Sequence, residues 1–228
     1  MPAMLARVLE PEVMDTAQEA ADYDVMDNHE PNERFCEDCL HYATFEKALD
    51  VGTGTALIPI AMCTRAPKLA MVGVDLAGHM LSLARRNVER ARLGDRIQLQ
   101  KIDAKSLPFR DGEFDAVVSN SIVHHIPDPA HALGEMVRVA KRVVFVRDLL
   151  RPENDAEVAR LVALHGGKPA SSGREDIARH TRQVALLEAS LRAALTLDEI
   201  AAMVSGFGVP RSAVTQTSDR HFTLAYTK

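Results

Sequence analysis

The stretch Ala48-Leu49-Asp50-Val51-Gly52-Thr53-Gly54-Thr55-Ala56-Leu57-Ile58-Pro59-Ile60 constrains this chain more than any other. It opens as an apolar strand, passes through two glycines two residues apart, and runs into a segment able to form a helix. Glycine has no Cβ, so a strand ending in Gly-x-Gly brings the backbone close to a ligand. A helix amino terminus behind it adds unpaired N–H groups and a partial positive charge. That is the outline of a nucleotide-like cofactor site, and it requires a strand–turn–helix unit to carry it.

From Lys47 onward such units repeat. Residues 69–76 form an apolar run ending beside an acid, as expected of a strand buried on both faces. Residues 78–93 place Met80, Leu81, Leu83, Ala84, Val88 and Ala91 on one side of a helix, with arginines opposite. Residues 97–104, 114–120 and 142–149 read as further strands, and 130–140 as a helix behind Asp128-Pro129. Two closing strands, 213–217 and 221–227, are joined tightly enough to be antiparallel. The predicted class is α/β: a Rossmann-like, seven-stranded, mostly parallel sheet with helices on both faces and an antiparallel last strand. One domain is expected over 1–228. It has a helical cap over 1–45 (helices near 12–22 and 32–45) and a cofactor-binding core over 46–150. A helical insert over 151–195 (helices near 153–165 and 174–194) and a closing unit over 196–228 follow. Thr196-Leu197-Asp198-Glu199 carries a capping-box signature.

Composition narrows the function. The 228 residues are 46% apolar and 26% charged, ordinary for a soluble globular chain with a sizeable core. A net charge of −5 and the lack of tryptophan argue against a nucleic-acid partner, which favours basic patches and stacking platforms. Three cysteines are too few, and too odd in number, for a disulfide framework. No apolar run approaches a membrane span, and the first fifteen residues lack a signal-peptide core. A cytoplasmic protein is the expectation.

Three observations bear on the cofactor. A dinucleotide fingerprint needs a third glycine where Leu57 stands. Asp75 and Asp103 lie at carboxyl ends of strands, where one suits ribose hydroxyls and the other an exocyclic adenine N–H. Asp50, just before the glycines, would repel a pyrophosphate but suits a cofactor bearing ammonium and sulfonium charges. Asp50-Val51-Gly52-Thr53-Gly54-Thr55, Asp75, Ile102-Asp103-Ala104, Leu107-Pro108-Phe109 with Phe114-Asp115-Ala116-Val117, and His124-His125-Ile126-Pro127-Asp128 follow in that order. Together they resemble the class I S-adenosylmethionine-dependent methyltransferases, particularly the small-molecule branch with the ubiquinone/menaquinone enzymes. Tyr23-Asp24 resembles the segment that such enzymes fold over the cofactor. Ala56 departs from the family, which usually has glycine there; a methyl group is tolerable if that position is helical.

The resemblance implies S-adenosylmethionine as cofactor and a small-molecule methyl acceptor. It implies Gly52 and Gly54 beside the methionine moiety, Asp75 on the ribose, Asp103 and the Ala104 amide on adenine, and Leu76 and Met80 against the adenosine. Ser119 and Asn120 would lie near the reactive methyl, with Tyr23 over the site. Methyl transfer needs a positioned acceptor and, for some acceptors, a base that titrates near neutrality, which suits histidine. His124 and His125 are candidates, and bracing of the following turn is the alternative for either. His165, His180 and His221 read as surface or structural groups, and His41 and Tyr42 suit a helix surface as well as a pocket. Cys36-x-x-Cys39 lacks a second ligand pair at metal spacing, so no metal is expected. The rival readings are a nicotinamide-dependent oxidoreductase and a non-catalytic, methyltransferase-like binding protein. The acceptor and the oligomeric state stay open.

Overall fold

A computed structural model describes residues 5–10, 15–25 and 29–228. Its seven strands are β1 (Lys47–Val51), β2 (Ala70–Asp75), β3 (Ile97–Lys101), β4 (Phe114–Asn120), β5 (Ala140–Leu149), β6 (Val214–Gln216) and β7 (His221–Thr227). They form one sheet in the order β3-β2-β1-β4-β5-β7-β6. Neighbours from β3 through β5 are parallel, whereas β7 runs antiparallel to both β5 and β6. The order reverses between β1 and β4, and open α/β sheets bind ligands outside the carboxyl ends at such a reversal.

The apolar runs explain the layering. Ala48 joins the buried cluster on one face of the sheet, while Leu49 and Val51 join the cluster on the other. In β4, Ala116 and Val118 face the first cluster and Val117 the second. Helices α2 (His29–Tyr42), α3 (Leu57–Arg65) and α4 (Gly78–Arg90) cover one face. Helices α5 (Pro129–Val139) and α8 (Leu197–Ser205) cover the other. Pro59 sits in the first turn of α3, where a missing N–H breaks no helical bond. The expected capping box is present: Thr196 Oγ1 accepts the Glu199 N–H and the Glu199 carboxylate accepts the Thr196 N–H.

Helix α1 spans Ala17–Asp24, later than the expected 12–22. A second capping box, Thr16 with Glu19, sets its start. Residues 12–14 and Asp27 lie outside the described residues. Ala20 of α1 packs on Ala77 and Met80 at the start of α4. There Asp15 accepts the His79 N–H at 2.9 Å. Those bonds at a helix amino terminus hold the Asp15 carboxyl down at about 2.

The insert forms α6 (Asp155–His165) and α7 (Arg174–Ala193). Leu161 and Leu191 close on Leu149, at the end of β5. Residues 5–10 fasten this unit to the core: Leu5 N–H bonds to Glu153 O, Val8 N–H bonds to Arg192 O, and the Arg7 guanidinium reaches Ala193 O, His124 O and Ile126 O. No described helix is long and apolar enough to cross a membrane.

Gly52 adopts φ +77°, and a Cβ there would lie 2.2 Å from Ile122 Cδ1. Gly52→Ala should therefore destabilise the protein by roughly 2–4 kcal/mol in urea unfolding, combining left-handed backbone strain with overpacking. Gly94→Ala, with open space around it, should stay within about 1 kcal/mol of the parent and serves as the control.

Candidate active site

The glycine loop is held by the carboxyl end of β2. Gly52 and Thr53 both donate to Val74 O, at 2.8 and 2.9 Å, and Gly54 N–H donates to Asp75 Oδ2 at 2.8 Å. Three successive loop amides are therefore spent inside the protein. They are not offered outward as in a phosphate-binding nest. Asp75 Oδ1 accepts the Ala77 N–H at 2.8 Å. Each carboxylate oxygen keeps a further lone pair for a ligand hydroxyl. Burial raises the Asp75 pKa, opposed by these backbone N–H bonds.

Ala56 caps α3 with φ +63° and ψ +25°. The position is left-handed, not helical, so the condition under which a methyl group was expected to fit is not met. The alanine is fully buried and holds this conformation against a cost of about 1–2 kcal/mol. Ser121 adopts φ +59° at the end of β4. Sequence reasoning passed over it, because only glycine, asparagine or aspartate signals a left-handed turn.

A cleft opens above the loop. Tyr23, Gly52, Gly54, Asp75, Leu76, Met80, Asp103, Ala104, Asn120 and His125 all line it, drawn from α1, β4 and the ends of β1, β2 and β3. Asp103 lies two residues beyond β3. It accepts the Lys105 N–H at 2.9 Å and sits 3.1 Å from the Lys105 ammonium. Burial would raise the Asp103 pKa, but these contacts hold it below its ordinary value.

Asp50 lies beneath the cleft in a small adjoining cavity shared with Tyr23, Asn32, Thr55 and Asn120. It is 1% exposed, and its Oδ2 has no hydrogen-bond partner among the described residues. Burial, with the Asp75 charge adding to it, pushes its carboxyl up to about 7. The Thr53 side chain opposes that shift, but a buried carboxylate with an unpartnered oxygen is still costly unless a proton or a cation compensates it. Burial and the same two carboxylates push the Tyr23 phenol up to about 12, so it stays protonated at neutral pH and acts as a donor.

Besides Asp50, two further expected residues do not line this cleft, although one of them, His124, borders the second cavity beside it. Ser119 is fully buried and its Oγ–H donates to Val51 O at 2.9 Å, tying β4 to β1 below the cleft. Asn120, one residue on, faces the cleft because successive strand residues point to opposite sides. His124 is 3% exposed, with its Nδ1 2.5 Å from Asp148 Oδ1 and its N–H donating to Asp148 Oδ2. Burial alone would lower its pKa, but the Asp148 carboxylate outweighs that and raises it, while His124 in turn lowers that of Asp148. His124 therefore braces the 3-10 turn Val123–His125. His125 stacks on it at 4.0 Å and lies 3.4 Å from Glu10.

A second, larger cavity of about 390 Å³ adjoins the cleft under α6 and α7. The two share Tyr23, Asn120, Ser121 and His125. His165, His180 and His221, expected at the surface or in structural roles, line this second cavity. Their convergence had no local signal, as they come from α6, α7 and β7. Cys36 and Cys39 lie buried between α2, α3 and the sheet with Cys63, and burial raises all three thiols. Tyr42 is surface-exposed and its hydroxyl accepts from Thr227. Among the described residues, the nearest approach to a metal-ligand set is Glu10, His124 and His125, with one potential ligand atom each within 4.8 Å.

Residues 49–145 match the methyltransferase domain family. A ubiquinone/menaquinone biosynthesis C-methyltransferase of Geotalea uraniireducens is 32% identical over 109 residues, covering 47% of this chain and 46% of that protein. A demethylmenaquinone methyltransferase of Thermus thermophilus is 42% identical over 94 residues, covering 41% and 42%. The chain thus spans about half the length of the curated relatives it matches. A crystal structure of a SAM-dependent methyltransferase from Aquifex aeolicus shares the fold, with a TM-score of 0.64 at 15% identity over 93% of this chain and 98% of that one. An O-methyltransferase family protein from Burkholderia thailandensis has a TM-score of 0.68 at 18% identity, over 93% and 59%. The chain is therefore similar, over residues 49–145, to the class I S-adenosylmethionine-dependent methyltransferases of the ubiquinone/menaquinone branch.

Proposed function

We propose that this protein transfers a methyl group from S-adenosylmethionine to a small molecule held in the cavity beneath α6 and α7. The observation that carries this reading is Asp50: a buried carboxylate with an unpartnered oxygen, directly below the glycine loop. A cationic amino acid moiety supplies the charge that this site lacks, whereas a pyrophosphate would be repelled. The loop amides already committed to β2 argue the same way against a dinucleotide. When bound, S-adenosylmethionine supplies an electrophilic methyl on a sulfonium.

The chain supplies position. Asp75 takes the ribose hydroxyls with its spare lone pairs, Asp103 and the Ala104 amide take the adenine edge, and Met80 and Leu76 pack on the adenosine. Tyr23 closes the cleft from α1. Asn120 and His125 stand where cleft and second cavity meet, so they orient the acceptor. His125 is the candidate to accept a proton from an acceptor that must lose one, since the His124 imidazole is committed to Asp148. Three buried free cysteines suit the reducing cytoplasm.

Asp75→Ala removes a charged acceptor for two ligand hydroxyls and releases Gly54. Calorimetry with S-adenosylhomocysteine should show affinity falling on the order of 100-fold, equivalent to about 3 kcal/mol; an unchanged affinity removes the ribose assignment. Asp50 generates a pH test. Its free-protein carboxyl titrates near 7, so binding the cofactor ammonium must expel a proton at lower pH. Affinity should fall as pH drops below 7, by up to about tenfold per unit, and Asp50→Asn should flatten that dependence. The stability sign is opposite. A carboxyl raised above its unfolded value stabilises the fold below pH 4, and that contribution is lost as pH rises through 7. The cofactor-free Asp50→Asn protein should therefore melt at a higher temperature than the parent above pH 7. A variant that melts lower there would contradict the raised pKa of buried Asp50.

A further inference from the structure

The second cavity has an unbalanced charge. Its lining includes Lys168, Arg179 and Arg220 against a single carboxylate, Asp176. Arg179 pairs with Asp176. Lys168 is exposed on the loop between α6 and α7, so its charge is largely met by water. Arg220 differs. It is half-buried in the turn before β7, and burial lowers its pKa. Its neighbour Asp219 is engaged elsewhere, 3.0 Å from His165 Nε2 and 3.5 Å from Arg160. Among the described residues nothing bonds or ion-pairs with the Arg220 guanidinium.

His221 beside it carries no compensating or competing charge. Its Nδ1 lies 2.8 Å from Ser218 Oγ, and burial, aided by Arg220, drops its pKa to about 4. What remains is a cavity with one desolvated, unpaired guanidinium in its wall. Such a group is costly unless an anion completes it, and its planar fork matches a carboxylate or phosphate with two parallel bonds. Arg220 is also absent from the residues that the cavity shares with the cofactor cleft. A group held there leaves the rest of the molecule free to reach Asn120 and His125.

We propose that the methyl acceptor is a small anion whose carboxylate or phosphate group is held by Arg220. This deepens the methyltransferase reading and rests on the second cavity being the acceptor site. A cavity of about 390 Å³ suits a molecule of drug-like size. Arg220 sets which molecules bind and does not take part in the chemistry.

The test uses the full chain saturated with S-adenosylhomocysteine, and three phenyl probes of similar size: para-hydroxybenzoate, phenyl phosphate and the neutral para-hydroxybenzamide. Ligand-observed NMR or calorimetry reads their affinities. At least one anion should bind about tenfold or more tightly than the amide. The tighter anion identifies the carboxylate or the phosphate as the recognised group. Arg220→Gln should abolish the preference and Arg220→Lys should retain part of it, with S-adenosylhomocysteine affinity unchanged in both as evidence of an intact fold. Equal binding of amide and anions, no binding of either anion, or a preference that survives Arg220→Gln overturns the proposal. Failure of the parent to bind S-adenosylhomocysteine overturns the methyltransferase reading instead, and the anion preference is then read on the cofactor-free protein.

Discussion

The carboxyl end of β2 holds the site together. Val74 O and the Asp75 carboxylate take the amides of Gly52, Thr53 and Gly54, and Asp75 also takes the amide that leads into α4. One short strand end thereby fixes the loop before α3 and the start of α4. Buried N–H groups need partners, so this arrangement satisfies the loop before any ligand arrives. Amides turned inward in this way do not form a phosphate-cradling nest. Side-chain carboxylates are left as the charged acceptors at the site, with Asp75 and Asp103 lining the cleft and Asp50 the small cavity beside it.

Stability is surrendered around that clamp. Asp50 is buried with an open lone pair, and Ala56 and Ser121 hold left-handed backbone at either side of the site. Each is unfavourable taken alone. They persist because the sheet is buried on both faces and its packing over-determines the local conformation. Asn87 adds a cross-link, donating to Asp24 Oδ1 in α1 and to Thr55 O in the glycine loop. The cap carrying Tyr23 is thus coupled to the loop it covers.

The two cavities draw on different parts of the chain. The cofactor cleft comes from β1 to β4, whereas the second cavity draws on the insert and on the turn before β7. The segment 5–10 stitches the insert to the turn carrying His124 and His125, through Arg7 on three carbonyl groups. Buried Asp148 fixes His124 from beneath. The insert and the segment 5–10 both lie outside residues 49–145, the stretch that matches the methyltransferase domain family.

The alternation of apolar runs was enough to predict the strands and helices of the core, since a strand buried on both faces must be apolar throughout. The order of Asp50, the glycines, Asp75 and Asp103 predicted a loop for a cationic cofactor. Where the sequence misled, the deciding partner was distant. Whether Ser119 or Asn120 meets the cleft depends on how β4 is registered against β1. Whether His124 is a free base depends on Asp148, one strand away. Whether a methyl group at Ala56 sits in a helix or in a left-handed turn depends on the loop that Val74 pins, and the turn is what forms. The convergence of His165, His180, Arg220 and His221 on one cavity required the insert to fold back over the end of β5. Local periodicity is written in neighbouring residues, so the sequence by itself determined the α/β core and its cofactor loop. Side-chain convergence is written in contacts far apart in the chain, so only the tertiary structure decided which residues line the second cavity.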